Sequence, residues 1–160
     1  MRPIHFLSDQ TPLQSDHAAA AIIVANDGRY LLQLRDDIPR IFYPGHWGCF
    51  GGAIAPGETP LQAVTRELEE ELQFNPSDAR EFVRFDFDFT TIGQGPRYRA
   101  YYEYAIDASH VDDFVLCEGT DMRLFAPNDI FGLSNLIPYD SFAIWLHFAR
   151  HRFAAGGKKT

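Results

Sequence analysis

The sequence predicts an α/β fold, a mixed β-sheet layered between helices. Three observations lead there. Short segments with strand periodicity recur along the chain, two longer segments carry helical periodicity, and the two kinds interleave instead of forming separate blocks. The chain has 160 residues, 46% hydrophobic and 14% aromatic, enough for one domain with a substantial core. Residues 1–16 read as a polar, Pro-containing lead-in, 17–154 as a single domain, and 155–160 as a flexible tail.

Ala18 to Ala25 is the longest apolar run and reads as a buried strand. Asn26-Asp27-Gly28 is a turn signal, because these residues tolerate positive φ, and Arg29 to Arg35 reads as the returning strand. A loop rich in Pro, Gly and aromatics follows from Asp36 to Trp47, then a short segment from Gly48 to Ile54. Thr59-Pro60 starts a helix, with Thr as N-cap and Pro in the first turn, and the helical pattern continues from Leu61 to Leu72. Phe85, Phe87 and Phe89 alternate with Asp86 and Asp88 as in a strand, and Gly93-Gln94-Gly95-Pro96 marks a turn. Tyr98, Ala100, Tyr102 and Tyr104 alternate on the next strand, and Met122 to Phe125 forms another. Pro127-Asn128-Asp129 begins a turn or short helix. Asp140-Ser141 is expected to cap a C-terminal helix that turns Phe142, Trp145, Leu146 and Ala149 inward.

The charge balance narrows the function classes. Fourteen Lys and Arg stand against 22 Asp and Glu, a net charge of −8. Nucleic-acid polymers and anionic membrane surfaces are bound through a surplus of basic residues, which this chain lacks. The eight residues of its longest apolar run fall far short of a membrane span. Met1-Arg2-Pro3-Ile4-His5 opens without the apolar stretch of a signal peptide, so a cytoplasmic protein is expected. Cys49 and Cys117 lie outside any C-x-x-C pattern and are expected to remain free, buried or half-buried thiols.

The chemistry concentrates between Gly52 and Phe74. At about 100° per residue, Leu61, Val64, Leu68 and Leu72 form a core-facing stripe, while Glu67, Glu70 and Glu71 form an adjoining acidic one. Glu69 falls on the far, solvated side. Carboxylates at i, i+3 and i+4 repel one another, and they sit near the negative end of the helix dipole. Glu71 borders the apolar stripe and is expected to be partly desolvated. A hard divalent cation would offset these costs, and oxygen ligands suit Mg²⁺ or Mn²⁺ better than zinc. An acidic solvated face paired with scattered arginines is the alternative for three glutamates alone.

The whole segment resembles the Nudix box, G-x5-E-x7-R-E-U-x-E-E-x-G-U with U a bulky apolar residue. Gly52, Glu58, Arg66, Glu67, Leu68, Glu70, Glu71 and Phe74 fill eight of its nine specified places. The resemblance implies a Nudix-type α/β/α sandwich and hydrolysis, with Mg²⁺ or Mn²⁺, of a nucleoside diphosphate linked to another group, by attack of metal-activated water on a phosphorus. It implies Glu70 and Glu71 as metal ligands, the Gly51 carbonyl as a further ligand, Glu67 as a ligand or the general base, and Gly52, Glu58 and Arg66 as structural residues. Two positions depart from the pattern. Gln73 replaces the second glycine, so the helix is expected to run past it and stop before Asn75-Pro76, and Phe50 stands where many relatives have Pro.

Relatives often recruit one more acid from outside the box. Glu118 and Asp121 are the leading candidates, Asp112 and Asp113 weaker ones. On the substrate side, Arg35 is placed by the resemblance near phosphate, where its planar fork suits phosphate oxygens; pairing with Asp36 or Asp37 is the alternative. Arg97 and Arg99 flank a turn from which they could reach phosphate. The aromatic loop from Ile41 to Trp47 either stacks a base, with Trp47 as the platform, or packs on itself. Nucleoside triphosphates lead as substrates, then nucleotide sugars or ADP-ribose. A non-catalytic nucleotide-sensing module is a separate class, disfavoured because all four box glutamates are present. The expected partner is a small nucleotide, and a homodimer is possible.

Overall fold

The computed structural model describes residues 17–88, 90–93 and 95–154. The lead-in over 1–16, the tail over 155–160, Phe89 and Gln94 lie outside the described residues.

Ala18–Ala25 forms β1, the strand on which the sheet is built. Its partners are β2 (Tyr30–Leu34), β4 (Phe50–Ala53) and β6 (Arg97–Ile106). The Asn26-Asp27-Gly28 turn forms as expected, with Gly28 at φ 85°. β1 runs antiparallel to β2 and β4 but parallel to β6, from Ala18 opposite Arg99 to Ala25 opposite Ile106. β3 (Trp47–Gly48) and β7 (Asp121–Phe125) both pair with β2, and β5 (Arg80–Phe87) closes the other edge beside β6. Among the described residues the result is a seven-stranded mixed sheet.

Because successive side chains on a strand point to opposite faces, β1 divides between two cores. Ala19, Ala21 and Ile23 pack beneath α1 (Pro60–Leu72) with Val64, Leu68 and Leu72. Ala20 and Ile22 pack with Tyr101, Ala143 and Ile144 beneath α3 (Pro138–Ala154). A strand covered on both faces must be apolar throughout, which is why it reads as a continuous run. α2 (Pro127–Ile130) is the short helix expected after β7.

The capping signal at Thr59 is fully realised. The Gln62 amide N–H donates to Thr59 Oγ1 at 3.2 Å, and the Thr59 N–H donates to Gln62 Oε1 at 2.9 Å.

Four expectations need correction. Gln73 does not extend α1: it takes the left-handed conformation at φ 51°, ψ 36°, and ends the helix there. Its N–H still reaches the carbonyls of Glu69 and Leu68, and the Phe74 N–H returns to Leu68 at 3.2 Å, so end-of-helix carbonyls gain partners in exchange for the strain. Leu61 is 43% exposed instead of core-facing; Ala63 takes the buried place in that turn.

The third correction concerns α3. It begins at Pro138, and its inward face carries Asp140, Ala143, Ile144, His147 and Ala149, whereas Phe142 and Trp145 are exposed. Polar partners beneath the helix set this rotation. Asp140 is completely buried among donors from the sheet, and His147 lies between Tyr30 and Glu103. Both cysteines are free, but Cys117 is exposed instead of half-buried.

Candidate active site

Four backbone segments converge on the acidic face of α1. β4 lies alongside the helix and brings Gly51 and Gly52 against it. Gly51 sits at φ 131°, where a Cβ would run into the Ala19 carbonyl. At Gly52 a Cβ would lie 2.5 Å from a Glu67 carboxylate oxygen. The space a side chain would fill is thus occupied by the carboxylate of Glu67.

Glu71 is only 4% exposed. Its Oε2 accepts the Gly51 N–H at 2.9 Å, and Oε1 accepts the Gln33 side-chain amide at 3.5 Å. Burial pushes its carboxyl up to about 8, and the charges of Glu67 and Glu118 push the same way. Burial also raises Glu67, against the opposing pull of Arg66. Glu70 is the exposed member of the trio, and Glu69 faces solvent as expected.

Arg66 is the hub of this face. It donates to Glu58 at 3.0 and 3.2 Å and to the Ala53 carbonyl at 3.0 Å. It also bridges Glu67 at 2.8 Å and Glu70 at 3.0 Å, contacts the sequence did not announce. Glu58 in turn accepts the Ala55 N–H at 2.9 Å, which fixes the turn entering the helix.

Of the four acids outside the box, Glu118 is the one delivered to this place. The Cys117 N–H donates to the Glu71 carbonyl at 2.8 Å, the Thr120 N–H to the Leu34 carbonyl at 2.8 Å, and Gln33 Nε2 to the Glu118 carbonyl at 3.0 Å. These bonds stitch the loop to the ends of α1 and β2. Asp121 is instead paired with Arg123 at 2.8 Å, and Asp112 and Asp113 sit in an exposed 3₁₀ turn. Gln33 was missed in the sequence. Its signal was a polar residue inside the otherwise apolar β2, where burial demands a partner.

The donor set fits a hard divalent cation: carboxylates and a backbone carbonyl, with one carboxylate buried against no cationic side chain. Among the described residues these acids do not already stand together as a metal cluster, since Arg66 holds Glu67 and Glu70 while Glu71 faces Gly51.

Beside this face opens a cavity of about 820 Å³, whose wall includes Gly51, Gly52 and Ala53. Arg35, Arg84, Arg97 and Arg99 line it. Arg84 is held by Asp86 at 2.5 Å and lies 3.9 Å over the Tyr98 ring, whose plane also stacks on His17 at 4.1 Å. Arg35 keeps a buried Nε with no hydrogen-bond partner among the described residues. Arg99 is tied by its Nε to Tyr101 Oη at 3.1 Å and to Asp140 Oδ1 at 3.3 Å.

Trp47 is not at this cavity. It is 7% exposed, packed edge-on against Phe125 at 4.8 Å, so the base platform expected of it is taken into the core. From the same loop, Phe42 and Tyr43 reach the cavity instead.

A family model described as the NUDIX domain matches residues 15–145. The nucleoside triphosphatase NudI of Escherichia coli (strain K12 / DH10B) is 45% identical over 51 residues, 31% of this chain and 35% of that protein. The match therefore spans about a third of that relative's length. Among solved structures, the MutT protein of Methanosarcina mazei Go1 superposes with a TM-score of 0.66 at 23% identity, over 88% of this chain and 98% of that one. The NUDIX domain of Shewanella oneidensis NrtR, solved with ADP ribose, gives 0.66 at 19% identity over 96% and 99%. At these identities the structures show a shared fold. Among the described residues, no helix is long and apolar enough to cross a membrane.

Proposed function

The chain belongs to the Nudix family, and we propose that it is a hydrolase of phosphoric anhydrides in nucleoside diphosphate derivatives, specifically a Mg²⁺-dependent nucleoside triphosphate pyrophosphohydrolase. The observation that carries this reading is the joining of two opposite surfaces. The carboxylates of Glu67 and Glu71 touch Gly52 and Gly51, and those two glycines form part of the wall of a cavity that Arg35 also lines. A polyphosphate docks across that boundary, with a cation on one side and the Arg35 guanidinium on the other.

Glu70, Glu71 and the Gly51 carbonyl would hold the ion, with Glu118 completing the set; Mn²⁺ can replace Mg²⁺ there. When bound, the ion supplies charge neutralisation and an acidified water. Arg66 keeps the loop and helix in register through Glu58 and the Ala53 carbonyl. Glu67, seated in the space Gly52 leaves, takes the proton from the attacking water as it adds to phosphorus. The bond from that phosphorus to the bridging oxygen breaks, leaving a nucleoside monophosphate and pyrophosphate. Arg35, whose guanidinium lines the cavity, offers its terminal amino groups to a phosphate oxygen.

The partial likeness to a nucleoside triphosphatase favours triphosphates. The cavity's size also admits a nucleoside diphosphate joined to a sugar, such as ADP-ribose or a nucleotide sugar, as the second reading. We assign the activity to a single domain over 17–154, working in the cytoplasm, as a monomer or a homodimer.

Incubating the protein with Mg²⁺ and a panel of nucleoside triphosphates, ADP-ribose and nucleotide sugars separates these. Monophosphate plus pyrophosphate from a triphosphate is the expected result. Monophosphate plus a sugar phosphate favours the second reading, and no product from any member contradicts both.

A further inference from the structure

The cavity holds one residue arranged unlike the other arginines. The Arg99 side chain is 13% exposed, on β6, beneath the start of α3. Its Nε is spent on Tyr101 and Asp140, and its guanidinium carbon lies 4.9 Å over the Tyr139 ring. Asp140 is fixed in turn. Its Oδ1 accepts the Tyr101 hydroxyl at 2.7 Å and its Oδ2 accepts the Cys49 N–H at 2.9 Å. The stacking sets the plane of the guanidinium and the bonds set its rotation within that plane. Among the described residues nothing accepts from its two terminal amino groups, which are left to the cavity.

A guanidinium has donors and no acceptor and keeps its proton in proteins, so the group it meets must present acceptors. Two features say what kind. Asp140 already compensates the charge of Arg99, so the site favours a neutral acceptor edge over a further anion. The surrounding wall carries aromatic rings, Phe42 and Phe142 among them, at 39% and 52% exposure, which suit a planar base. The place is right as well. Ala18 pairs with Arg99 on one side and with Ala53 on the other, so Arg99 stands two strand spacings, about 10 Å, from Ala53, the residue that follows the two glycines. That interval is filled by the sugar of a nucleotide whose phosphates lie at Gly51 and Gly52.

Resting on the nucleotide reading above, we propose that Arg99, held by Asp140 and Tyr101, selects the base, and that the base it selects is a 6-oxopurine, guanine or hypoxanthine. The O6 and N7 atoms of such a base form a pair of adjacent acceptors that matches two parallel guanidinium donors. Adenine offers N7 beside an N6 amino group, which sets donor against donor. The 2-amino group of guanine lies away from that edge and is not read.

Binding of the nucleoside monophosphates tests this independently of hydrolysis. Isothermal titration of GMP, IMP and AMP is expected to give similar affinities for GMP and IMP, each at least about five-fold tighter than AMP. In Arg99→Gln the amide meets N6 and N7, and the preference is expected to move toward AMP; circular dichroism checks that the variant is folded. Equal affinity for all three in the unaltered protein, as phosphate recognition by Arg99 would give, overturns the proposal without any variant. So does failure of all three to bind, or a GMP preference that persists in folded Arg99→Gln. Product release from triphosphates with Mg²⁺ judges the hydrolase reading separately.

Discussion

Gly51 and Gly52 stand next to each other at the mouth of the site and do different work. At Gly51 both the φ of 131° and the Ala19 carbonyl exclude a side chain, and backbone cannot swing aside. Gly51→Ala is therefore expected to destabilise the fold by about 1–3 kcal/mol, read by urea denaturation. At Gly52 the obstacle is the tip of the Glu67 side chain, which can move. Gly52→Ala is expected to unfold at nearly the same denaturant concentration while losing about 100-fold in kcat, because a displaced carboxylate no longer meets the reacting water. A kcat close to the parent's would remove Glu67 from its role. The box carboxylates were legible because their spacing and charge carry their own chemistry. Gln33, Asp140 and Tyr139 were not. Their importance lies in partners 38 or more residues away (Glu71, Tyr101 and Arg99), and only the folded sheet brings them together.

The two long helices show what element-scale reading can and cannot do. α1 has one apolar stripe, one acidic stripe and a complete capping box, so its start and its inner face follow from the sequence with Leu61 as the exception. Its end does not. Helix continuation past Gln73 competes with the backbone bonds gained by stopping, and stopping wins. A glycine adopts the left-handed conformation without strain, so Gln73→Gly is expected to stabilise the protein by about 0.5–1 kcal/mol in chemical denaturation. A loss of stability there would mean the side chain, whose amide lies 3.6 Å from Cys117 Sγ, contributes more than the strain costs. α3 misleads for a different reason. Phe142, Ala143, Ile144, Trp145 and Leu146 are consecutive and apolar, so periodicity cannot choose the inner face. Buried polar groups choose it.

On the scale of the whole molecule, the net charge of −8 is unevenly spread. Acids gather on α1 and at Glu118, and arginines line the adjacent cavity, so an acidic protein can still receive a polyphosphate once a cation covers the carboxylates. On the sheet's α3 side, His147 Nδ1 is hydrogen-bonded with the Tyr30 hydroxyl at 2.8 Å and its Nε2 with Glu103 at 2.7 Å, with Arg150 and Phe82 against it. Burial holds its imidazolium form below the ordinary range. The unfolded chain then binds more protons than the native one as pH falls below about 6.5, so this contribution to stability is present above that value and is lost on acidification. Glu71, raised by burial, acts in the opposite direction over the same range, so the His147 contribution is read as a difference: in urea denaturation the stability of the unaltered protein relative to His147→Gln is expected to fall from pH 7.5 through 6.5 to 5.5.

The central claim is that a metal held by the α1 carboxylates drives anhydride hydrolysis. The most direct test follows monophosphate release from a nucleoside triphosphate by the unaltered protein and by Glu70→Gln/Glu71→Gln, each with Mg²⁺ and with EDTA. Release by the unaltered protein with Mg²⁺, abolished by EDTA and lost by at least about 100-fold in the folded double variant, is the predicted result. Release that survives EDTA, or that the double variant matches, would contradict it.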